Sequence, residues 1–247
     1  MSPAPLLTVE AISKRFRGLQ AVDGVSFEVP AGGIVALIGP NGAGKTTIFN
    51  VIAGVFRPEA GRIRFGGRDI TGLRPHEVCD AGIARTFQQA KPFSALTVME
   101  NVIIGALRRA PSLRAAGAAA EALLARLDLA GKSRAPAASL TLPERKRLET
   151  ARALATQPRL LLLDEVMAGL RPAEIDDMVS SFRALVRETG ITILLTEHVM
   201  RAVMALSDHV IVVHHGQKIA EGMPAAVARD PRVLECYLGS GLAGAPV

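Results

Sequence analysis

Short apolar runs alternate with stretches of helical periodicity along most of the chain. Ile34–Ile38, Leu160–Leu163 and Ile191–Leu195 are continuous apolar runs of the length expected for strands that are buried on both faces. His209–Val213 is a further strand candidate, and Ile63–Phe65 is a shorter one. Because helical segments separate these runs, the pattern predicts parallel strands joined by helical crossovers, which is an α/β fold.

The helical segments are marked by their periodicity and by their ends. Pro75 and Pro143 stand near the first turns of two of them, where a missing N–H is tolerated. Gly54 follows another and is a plausible stop. The sequence predicts helices over Lys45 to about Ala53, Arg74–Ala81, Pro143–Gln157, Pro172–Glu188 and His198–Leu206.

The segment from about Gln89 to Thr156 differs from the rest because it has almost no strand pattern. Thr97 to Glu100 has capping-box spacing, which predicts a helix start. Arg108–Ala120 is rich in alanine and arginine but contains a proline and a glycine, so we expect a loose connection or two short helices. Glu121–Leu129 again has a helical pattern. A helical block inserted into an α/β core is the simplest architecture.

The composition supports one large domain with an aliphatic core. The chain has 247 residues, of which 49% are apolar, with one tyrosine and no tryptophan. Its net charge of +6 comes from basic residues that are spread along the chain, and the block Arg145–Arg147 is interpreted as a solvated helix face. Since no basic segment is interleaved with aromatic residues, no nucleic-acid partner is expected.

Two features bear on the compartment. Cys79 and Cys236 lie far apart without metal-ligand spacing around them, which favours reduced thiols in a cytosolic protein. The N-terminal residues show no secretory signal, and the apolar runs are too short to span a bilayer. A role at a membrane would therefore require docking onto another protein that spans it.

A glycine-rich loop is the most specific chemical motif. It fits the P-loop pattern, in which a glycine, four residues and a second glycine precede Lys45 and Thr46. Its backbone N–H groups and the following helix N-terminus suit a phosphate, Lys45 can reach the β- and γ-phosphates, and the Thr46 hydroxyl can bind Mg²⁺. ATP contacts are therefore predicted for Gly39, Pro40, Asn41, Gly42, Ala43, Gly44, Lys45, Thr46 and Thr47.

A second motif is an apolar strand that ends in two acids, Asp164 and Glu165. Burial of the strand would place Asp164 at its carboxyl end, where α/β sheets bind ligands, so Asp164 is a candidate for the Mg²⁺ shell. Glu165 would then lie where a general base for water is needed. Together with the P-loop, this motif predicts a nucleotidase.

Further segments, in this order along the chain, resemble those of ABC transporter ATPases over nearly its whole length. They are Lys14–Phe16, Thr86–Gln88, Ala168–Arg171 and Thr196–His198. The resemblance implies that Phe16 stacks on adenine and that Gln88 meets Mg²⁺ and senses the transporter interface. It also implies that His198 contacts the γ-phosphate and helps to position the attacking water. Lys45 and His198 would stabilise charge while Glu165 activates water.

The same resemblance implies the fold and its division. A single ABC nucleotide-binding domain would occupy residues 1–247, with a RecA-like α/β core formed by 1–88 and 157–247. An antiparallel β subdomain would lie at the N-terminal end of this P-loop NTPase core. Residues 89–156 would form the inserted helical subdomain, which carries the signature segment.

The signature segment departs from the family pattern. The usual Leu-Ser-Gly-Gly-Gln is replaced by Leu140-Thr141-Leu142-Pro143-Glu144. Thr141 keeps a hydroxyl for the γ-phosphate of ATP held by a partner subunit, whereas Pro143 has no N–H to donate. Glu144 adds a negative charge near that phosphate. The departure raises the question of how strongly this chain activates its partner's site.

The resemblance extends to the subfamily that serves branched-chain amino acid uptake, through Gly82–Gln88, Leu96–Val102, Leu162–Leu170 and Val233–Gly239. It implies import, driven by a dimer with a second, different ATPase subunit as the usual partner, or with a second copy of this chain. Permease subunits would be direct partners, and an extracytoplasmic solute-binding protein an indirect one. The chain would be peripheral, on the cytoplasmic face of the plasma (inner) membrane.

Other functions remain open from the sequence. The altered signature segment motivates a nucleotide-dependent regulatory subunit with weak hydrolysis. A soluble ABC ATPase of repair or translation would usually carry two cassettes or a long coiled-coil insertion, again by resemblance. A P-loop kinase would leave Gln88, Glu165 and His198 unexplained in this order.

Overall fold

The chain forms two sheets with helices packed around them. The computed structural model describes residues 4–86 and 92–238. Within these ranges the strands are β1 (Leu7–Phe16), β2 (Leu19–Val29), β3 (Ile34–Ile38), β4 (Ala60–Phe65), β5 (Arg68–Asp69), β6 (Ile83–Arg85), β7 (Leu160–Asp164), β8 (Thr192–Thr196), β9 (His209–His214) and β10 (Gln217–Gly222). The α-helices are α1 (Lys45–Ile52), α2 (Pro75–Ala81), α3 (Val98–Ala106), α4 (Leu113–Arg126), α5 (Leu142–Ala155), α6 (Pro172–Thr189), α7 (Met200–Leu206), α8 (Pro224–Val227) and α9 (Pro231–Leu238).

The larger sheet has six strands in the order β10-β9-β3-β8-β7-β6. All neighbours pair in parallel except β9 and β10, which are antiparallel. In β3, Ile34, Ala36 and Ile38 pack into one core cluster, while Val35 and Leu37 pack into another on the opposite face. Burial on both faces explains the continuous apolar runs and confirms the predicted parallel α/β sheet.

The smaller sheet is antiparallel, in the order β2-β1-β4-β5. In β1, Leu7 and Val9 are buried, whereas Thr8 and Glu10, each directly after one of them, are partly exposed, so the side chains alternate with a period of two. This sheet shares a core cluster with α1 and with one face of the larger sheet. It therefore lies beside the glycine-rich loop and brings the end of β1 close to that loop.

Three helices, α3 to α5, lie between β6 and β7 in the chain and pack against one another. The prediction for Arg108–Ala120 was wrong, because Leu113–Arg126 is one continuous helix. The hydroxyl of Ser112 caps its start by accepting from the backbone of Ala115, and small side chains line its buried face. Alanine's helix propensity outweighs the single Gly117, whose Cβ position faces open space.

Two element ends differ from the predictions and matter for function. The helix expected from His198 begins only at Met200, so His198 lies in a connecting segment after β8. Strands β7 and β8 run one residue further than their apolar runs, to Asp164 and Thr196. Polar side chains are thus carried on the last residues of two adjacent buried strands. In the described parts of the chain, no helix has both the length and the apolar character needed to cross a bilayer.

Candidate functional site

The loop between β3 and α1 is built around glycines that no other residue can replace without strain. Gly44 has a left-handed φ of 104°, and a Cβ there would lie 2.5 Å from the backbone oxygen of Ala21. At Gly39 a Cβ would lie 2.1 Å from the oxygen of Val213. The loop is therefore pressed between β2 and β9, and its backbone is fixed by close approach.

The N-terminus of α1 opens onto this loop and is not capped by a side chain. Its N-cap residue is Gly44, and no acidic residue lies in its first turn. Lys45 is 6% exposed, and its Nζ donates to the oxygens of Gly39 (2.7 Å) and Pro40 (3.0 Å). Burial lowers the pKa of Lys45, and the nearby carboxylates of Glu165 and Asp164 oppose that shift. Free N–H groups and a held amine make an anion-binding site.

A cavity of about 790 Å³ lies over the loop and collects residues that are distant in sequence; we call it the ATP cavity because its lining includes residues predicted to contact ATP. Seven of the nine loop residues that are predicted to contact ATP line this cavity. Residues from four other segments of the chain complete the lining. The lining is Phe16, Leu19, Gln20, Ala21, Asn41, Gly42, Ala43, Gly44, Lys45, Thr46, Thr47, Glu165, His198 and His215. Gly39 and Pro40 lie at the start of the loop, while Gln88 lies outside the described residues.

Phe16 lies at the end of β1, at the edge of this cavity. Its ring packs edge-on against Phe56, with the ring centroids 5.0 Å apart, and Lys14 Nζ lies 5.5 Å from its centroid. The side chain is 37% exposed, so one part of the ring is free to contact a planar ligand. This placement is compatible with the expected adenine contact.

Asp164 is 1% exposed and fixed on both carboxylate oxygens. Oδ1 accepts from Thr196 Oγ1 at 2.8 Å, and Oδ2 accepts from Arg85 Nη2 at 2.7 Å. Thr46 and Asp164 both line a second cavity, of about 670 Å³. A hydroxyl and a carboxylate suit Mg²⁺, which usually takes one or two protein carboxylates together with substrate phosphates. No cluster of three or more His, Cys, Asp or Glu side chains suited to a metal occurs in 4–86 and 92–238.

Glu165 follows Asp164 in an unusual backbone conformation. Its φ is 50°, which is rare for a residue other than glycine. Its N–H donates to the oxygen of Thr196 at 2.9 Å, and its carbonyl accepts from Lys146 Nζ at 3.1 Å. These bonds hold the strained residue where its side chain reaches the ATP cavity. Such strain is a common property of functional positions.

The segment after β8 carries one expected residue and one that the sequence analysis missed. His198 is exposed and lines the ATP cavity. Glu197 beside it is fully buried, and its Oε1 accepts from the backbone N–H of Met167 at 2.7 Å. Burial raises the pKa of Glu197 to about 7, and the charge of Glu165 adds to the shift. The position of Glu197 directly after an apolar strand was a sequence signal that could have marked it as a site residue. The burial of its side chain, however, depends on tertiary packing.

The signature residues lie at the start of α5, outside the ATP cavity of this chain. The N–H of Thr141 donates to Glu144 Oε2 at 2.8 Å, and Lys132 Nζ lies 2.7 Å from Glu144 Oε1. The hydrogen bond from Lys132 is the main cause of a lowered pKa at Glu144. Glu144 is thus bonded within its own subunit, and the structure does not bring Thr141 or Glu144 near the chain's own P-loop.

Three other residues near the site were not predicted. Arg85 bonds Asp164, and His215 lines the ATP cavity with a left-handed φ of 46°. The phenol of Tyr237 on α9 has a hydrogen bond with the backbone of Gly39. Burial raises the pKa of this phenol to about 12, and the hydrogen bond opposes that shift. No local pattern in the sequence marks these contacts, because each joins residues that are far apart along the chain.

Two family models match the chain. Residues 22–168 match the model described as ABC transporter. Residues 217–243 match the model described as branched-chain amino acid ATP-binding cassette transporter. The first match spans the glycine-rich loop, Asp164 and Glu165 at the end of β7, and the altered signature segment.

Curated and solved proteins agree with these matches. The chain is 38% identical to the high-affinity branched-chain amino acid transport ATP-binding protein BraF of Pseudomonas aeruginosa, over 95% of this chain and 98% of that protein. It is equally similar, at 38% over the same shares, to the ATP-binding protein LivG of Escherichia coli. A solved ATP-binding cassette of an ABC transporter in its ADP conformation superposes with a TM-score of 0.87 at 35% identity, covering 96% of this chain and all of that one.

Proposed function

This chain belongs to the ABC transporter family of ATPases, and from this premise we propose that it powers the import of branched-chain amino acids or a related small solute. The observation that carries the proposal is the cavity that unites Phe16, the glycine-rich loop, Glu165 and His198. The choice of solute is supported by the match of residues 217–243 to a branched-chain amino acid transporter model. The similarity to importer subunits also supports a motor over a regulatory subunit.

ATP would bind with its phosphates on the uncapped N-terminus of α1 and its adenine against Phe16. Lys45 would leave the oxygens of Gly39 and Pro40, which hold its amine here, and pair with the β- and γ-phosphates. The close approach of Gly39 and Gly44 to neighbouring strands fixes the loop backbone, so its N–H groups would be held in place for the phosphates. Preorganised donors of this kind stabilise developing charge in phosphoryl transfer.

Water attack on the γ-phosphate would be assisted by Glu165 and His198. Glu165 would accept a proton from the water, and His198 would orient the water and contact the γ-phosphate. The bonds from Thr196 and Lys146 to the Glu165 backbone would keep the carboxylate at a fixed position during this step. Thr46, Asp164 and Gln88 would hold Mg²⁺, which neutralises phosphate charge when it is bound.

The active form would be a dimer of nucleotide-binding domains, with a second ATPase subunit or with another copy of this chain. Each ATP would then be covered by the partner's signature segment, since Thr141 and Glu144 lie away from the chain's own P-loop. An extracytoplasmic solute-binding protein would act on this dimer only through the permease.

Permease subunits would dock on the second cavity, which lies between the large sheet and helices α3 and α5. Val55, Phe93 and Ile104 line it and are 41–49% exposed, so the cavity presents apolar side chains to a docking segment. Arg85 and Phe93, which lie before and after residues 87–91 in the chain, both line this cavity. The chain would thereby sit peripherally on the cytoplasmic face of the inner membrane.

The replacement of Glu165 by Gln tests the chemistry. In the complex purified from membranes, Glu165→Gln should reduce steady-state ATP turnover by roughly 100-fold or more while ATP binding persists. Glu188→Gln, which alters an exposed ion pair with Arg126, is the matched control and should retain turnover. Undiminished turnover in Glu165→Gln would remove Glu165 from its proposed role.

Two further measurements test the partners and the motor. Identification of the proteins that co-purify from membranes should yield permease subunits, and recovery of ribosomes or nucleic acid alone would overturn the transport proposal.

Replacement of Leu142 and Pro143 by glycine should leave stimulated hydrolysis within about twofold of the wild type, because a motor subunit would already hydrolyse ATP with its own signature segment. A large gain would instead favour the regulatory subunit.

A further inference from the structure

We propose that Arg85 is a positioning residue of the metal site: a buried strut that sets the spacing between Thr46 and Asp164. The inference rests on the proposed binding of Mg-ATP and adds a residue to it. Arg85 is the last residue of β6, and its side chain is 11% exposed. It contacts neither ATP nor the metal in this proposal, and acts through the residues that do.

Arg85 joins both sides of the metal site with one guanidinium group. Its Nη1 donates to Asn50 Oδ1 at 2.6 Å, and its Nη2 donates to Asp164 Oδ2 at 2.7 Å. Asn50 lies four residues after Thr46 on α1, so the two side chains are one turn apart on the same helix face. The distance from the Thr46 face of α1 to the end of β7 is therefore spanned by Arg85.

The same contact fixes the plane of the Asp164 carboxylate. Strand β6 pairs in parallel with β7, with Arg85 opposite Leu162, so Asp164 lies two residues further on the same side of the sheet. Because Thr196 bonds Oδ1 and Arg85 bonds Oδ2, the carboxylate has one bond on each oxygen. Partners that hold a ligand in this way strengthen metal binding, and their loss typically costs 10–100-fold in affinity.

The chemistry of arginine suits this task better than that of lysine. A planar guanidinium can hold two acceptors in fixed directions at once, whereas an ammonium is a point donor. The group also lies over the ring of Phe49, at 5.9 Å from its centroid, which limits its other orientations. A nearby cation would by itself repel Mg²⁺, so the proposal requires the positioning effect to exceed this repulsion. The two effects predict opposite changes in metal affinity.

Metal binding to the full chain distinguishes these effects. Mn²⁺, followed by its electron paramagnetic resonance signal, is titrated into protein with a non-hydrolysed ATP analogue, and analogue affinity is measured separately in EDTA. Arg85→Gln should raise the half-saturating Mn²⁺ concentration about tenfold, and Arg85→Lys should raise it less. Analogue affinity in EDTA should change by less than about twofold, because no phosphate contact is removed. Arg159→Gln, which removes a similar ring contact (5.3 Å to Phe65) just before β7, should behave as wild type.

An unchanged or lower half-saturating Mn²⁺ concentration in folded Arg85→Gln would overturn the inference, since Arg85 would then act only as a competing cation. If thermal melting shows that this variant does not fold, Asn50→Ala replaces it, and a shift of roughly threefold is expected from the loss of one anchor. An unchanged half-saturating Mn²⁺ concentration in Asn50→Ala would also overturn the inference. If wild-type protein shows no metal-dependent binding at all, the proposed function fails together with the inference.

Discussion

Helices α1 and α5 both begin with N–H groups that the helix itself cannot satisfy, yet the two ends are finished in different ways. At α1 the N-cap is Gly44, with no side-chain cap and no acid in the first turn. At α5 the carboxylate of Glu144 accepts from the N–H of Thr141 and is paired with Lys132. The first end is left for a ligand, whereas the second is already occupied by a carboxylate of its own chain.

The difference separates two ways to place an anion at a helix start. A phosphate that reaches α1 would compete with the contacts of Lys45 with its own loop but with no side-chain cap. A phosphate that reaches α5 must compete with a carboxylate that is held by Lys132. The proposed ATP site is therefore prepared by the fold, whereas the proposed contribution to a partner's ATP would require Glu144 to move.

Gly44→Ala should distort the uncapped start of α1 and cause the largest loss of ATP affinity. The left-handed backbone and the oxygen of Ala21 at 2.5 Å would force the loop to shift, and ATP affinity should fall roughly 1,000-fold. Gly42→Ala is the matched control, because its φ of 79° carries similar backbone strain while its Cβ would meet open space. A fluorescent ATP analogue measures both, and equal losses would show that close approach at Gly44 is unimportant.

Glu197→Gln tests a buried carboxyl beside α5, where burial raises the pKa and Lys146 of α5 opposes that shift. Because the pKa of Glu197 is raised from 4.5 to about 7, the native carboxyl keeps a proton between these pH values that the unfolded chain releases. Its contribution to stability is therefore full below pH 4.5 and is lost as pH rises to about 7. Neutral glutamine should raise the free energy of unfolding at pH 8 by about 3 kcal/mol, with little gain at pH 4.

Chemical denaturation across this pH range measures the difference between Glu197→Gln and wild type. Glu188→Gln, on the exposed end of α6, is the control and should give a difference near zero at every pH. A gap for Glu197→Gln that stays constant with pH would contradict the proposed protonation of the buried carboxyl.

Glu144→Ala tests the capped start of α5 and should have a smaller effect, on stability alone. It removes the cap of α5, so the free energy of unfolding should fall by about 1 kcal/mol, whereas ATP affinity of the isolated subunit should not change. Glu144→Gln retains an acceptor for the N–H of Thr141 and should recover part of the loss. Loss of ATP affinity in Glu144→Ala would mean that the start of α5 supports the chain's own site after all.

Tyr237→Phe should have the smallest effect, and only at the α1 end. It removes the hydrogen bond with the Gly39 backbone while the ring remains. ATP affinity should fall roughly threefold, in line with the modest net value of one hydrogen bond. The same titration of a fluorescent ATP analogue checks this, and an affinity equal to that of wild type would show that α9 does not support the loop.

Much of the fold was predictable because its signals are local. Apolar runs located β3, β7, β8 and β9, and the capping-box spacing at Thr97 marked the start of α3, where Glu100 accepts from the Thr97 backbone at 2.7 Å. The single helix over Leu113–Arg126 was missed because proline and glycine rules outweighed alanine content. Strands β6 and β10 were also missed, since a three-residue strand and a polar edge strand acquire their identity only from their neighbours.

Residues of the proposed ATP site could be predicted along the chain, because the glycine-rich loop and the pair Asp164–Glu165 at the end of β7 are contiguous segments with recognisable local patterns. Packing alone decided the rest. Long-range contacts bury Glu197, bond Arg85 to both Asn50 and Asp164, and bring Tyr237 to Gly39. Packing also brought Lys132 to Glu144, whereas the bond from the Thr141 N–H to Glu144 is a local capping box. Such pairings follow from the sheet order and from burial, which no stretch of sequence specifies by itself.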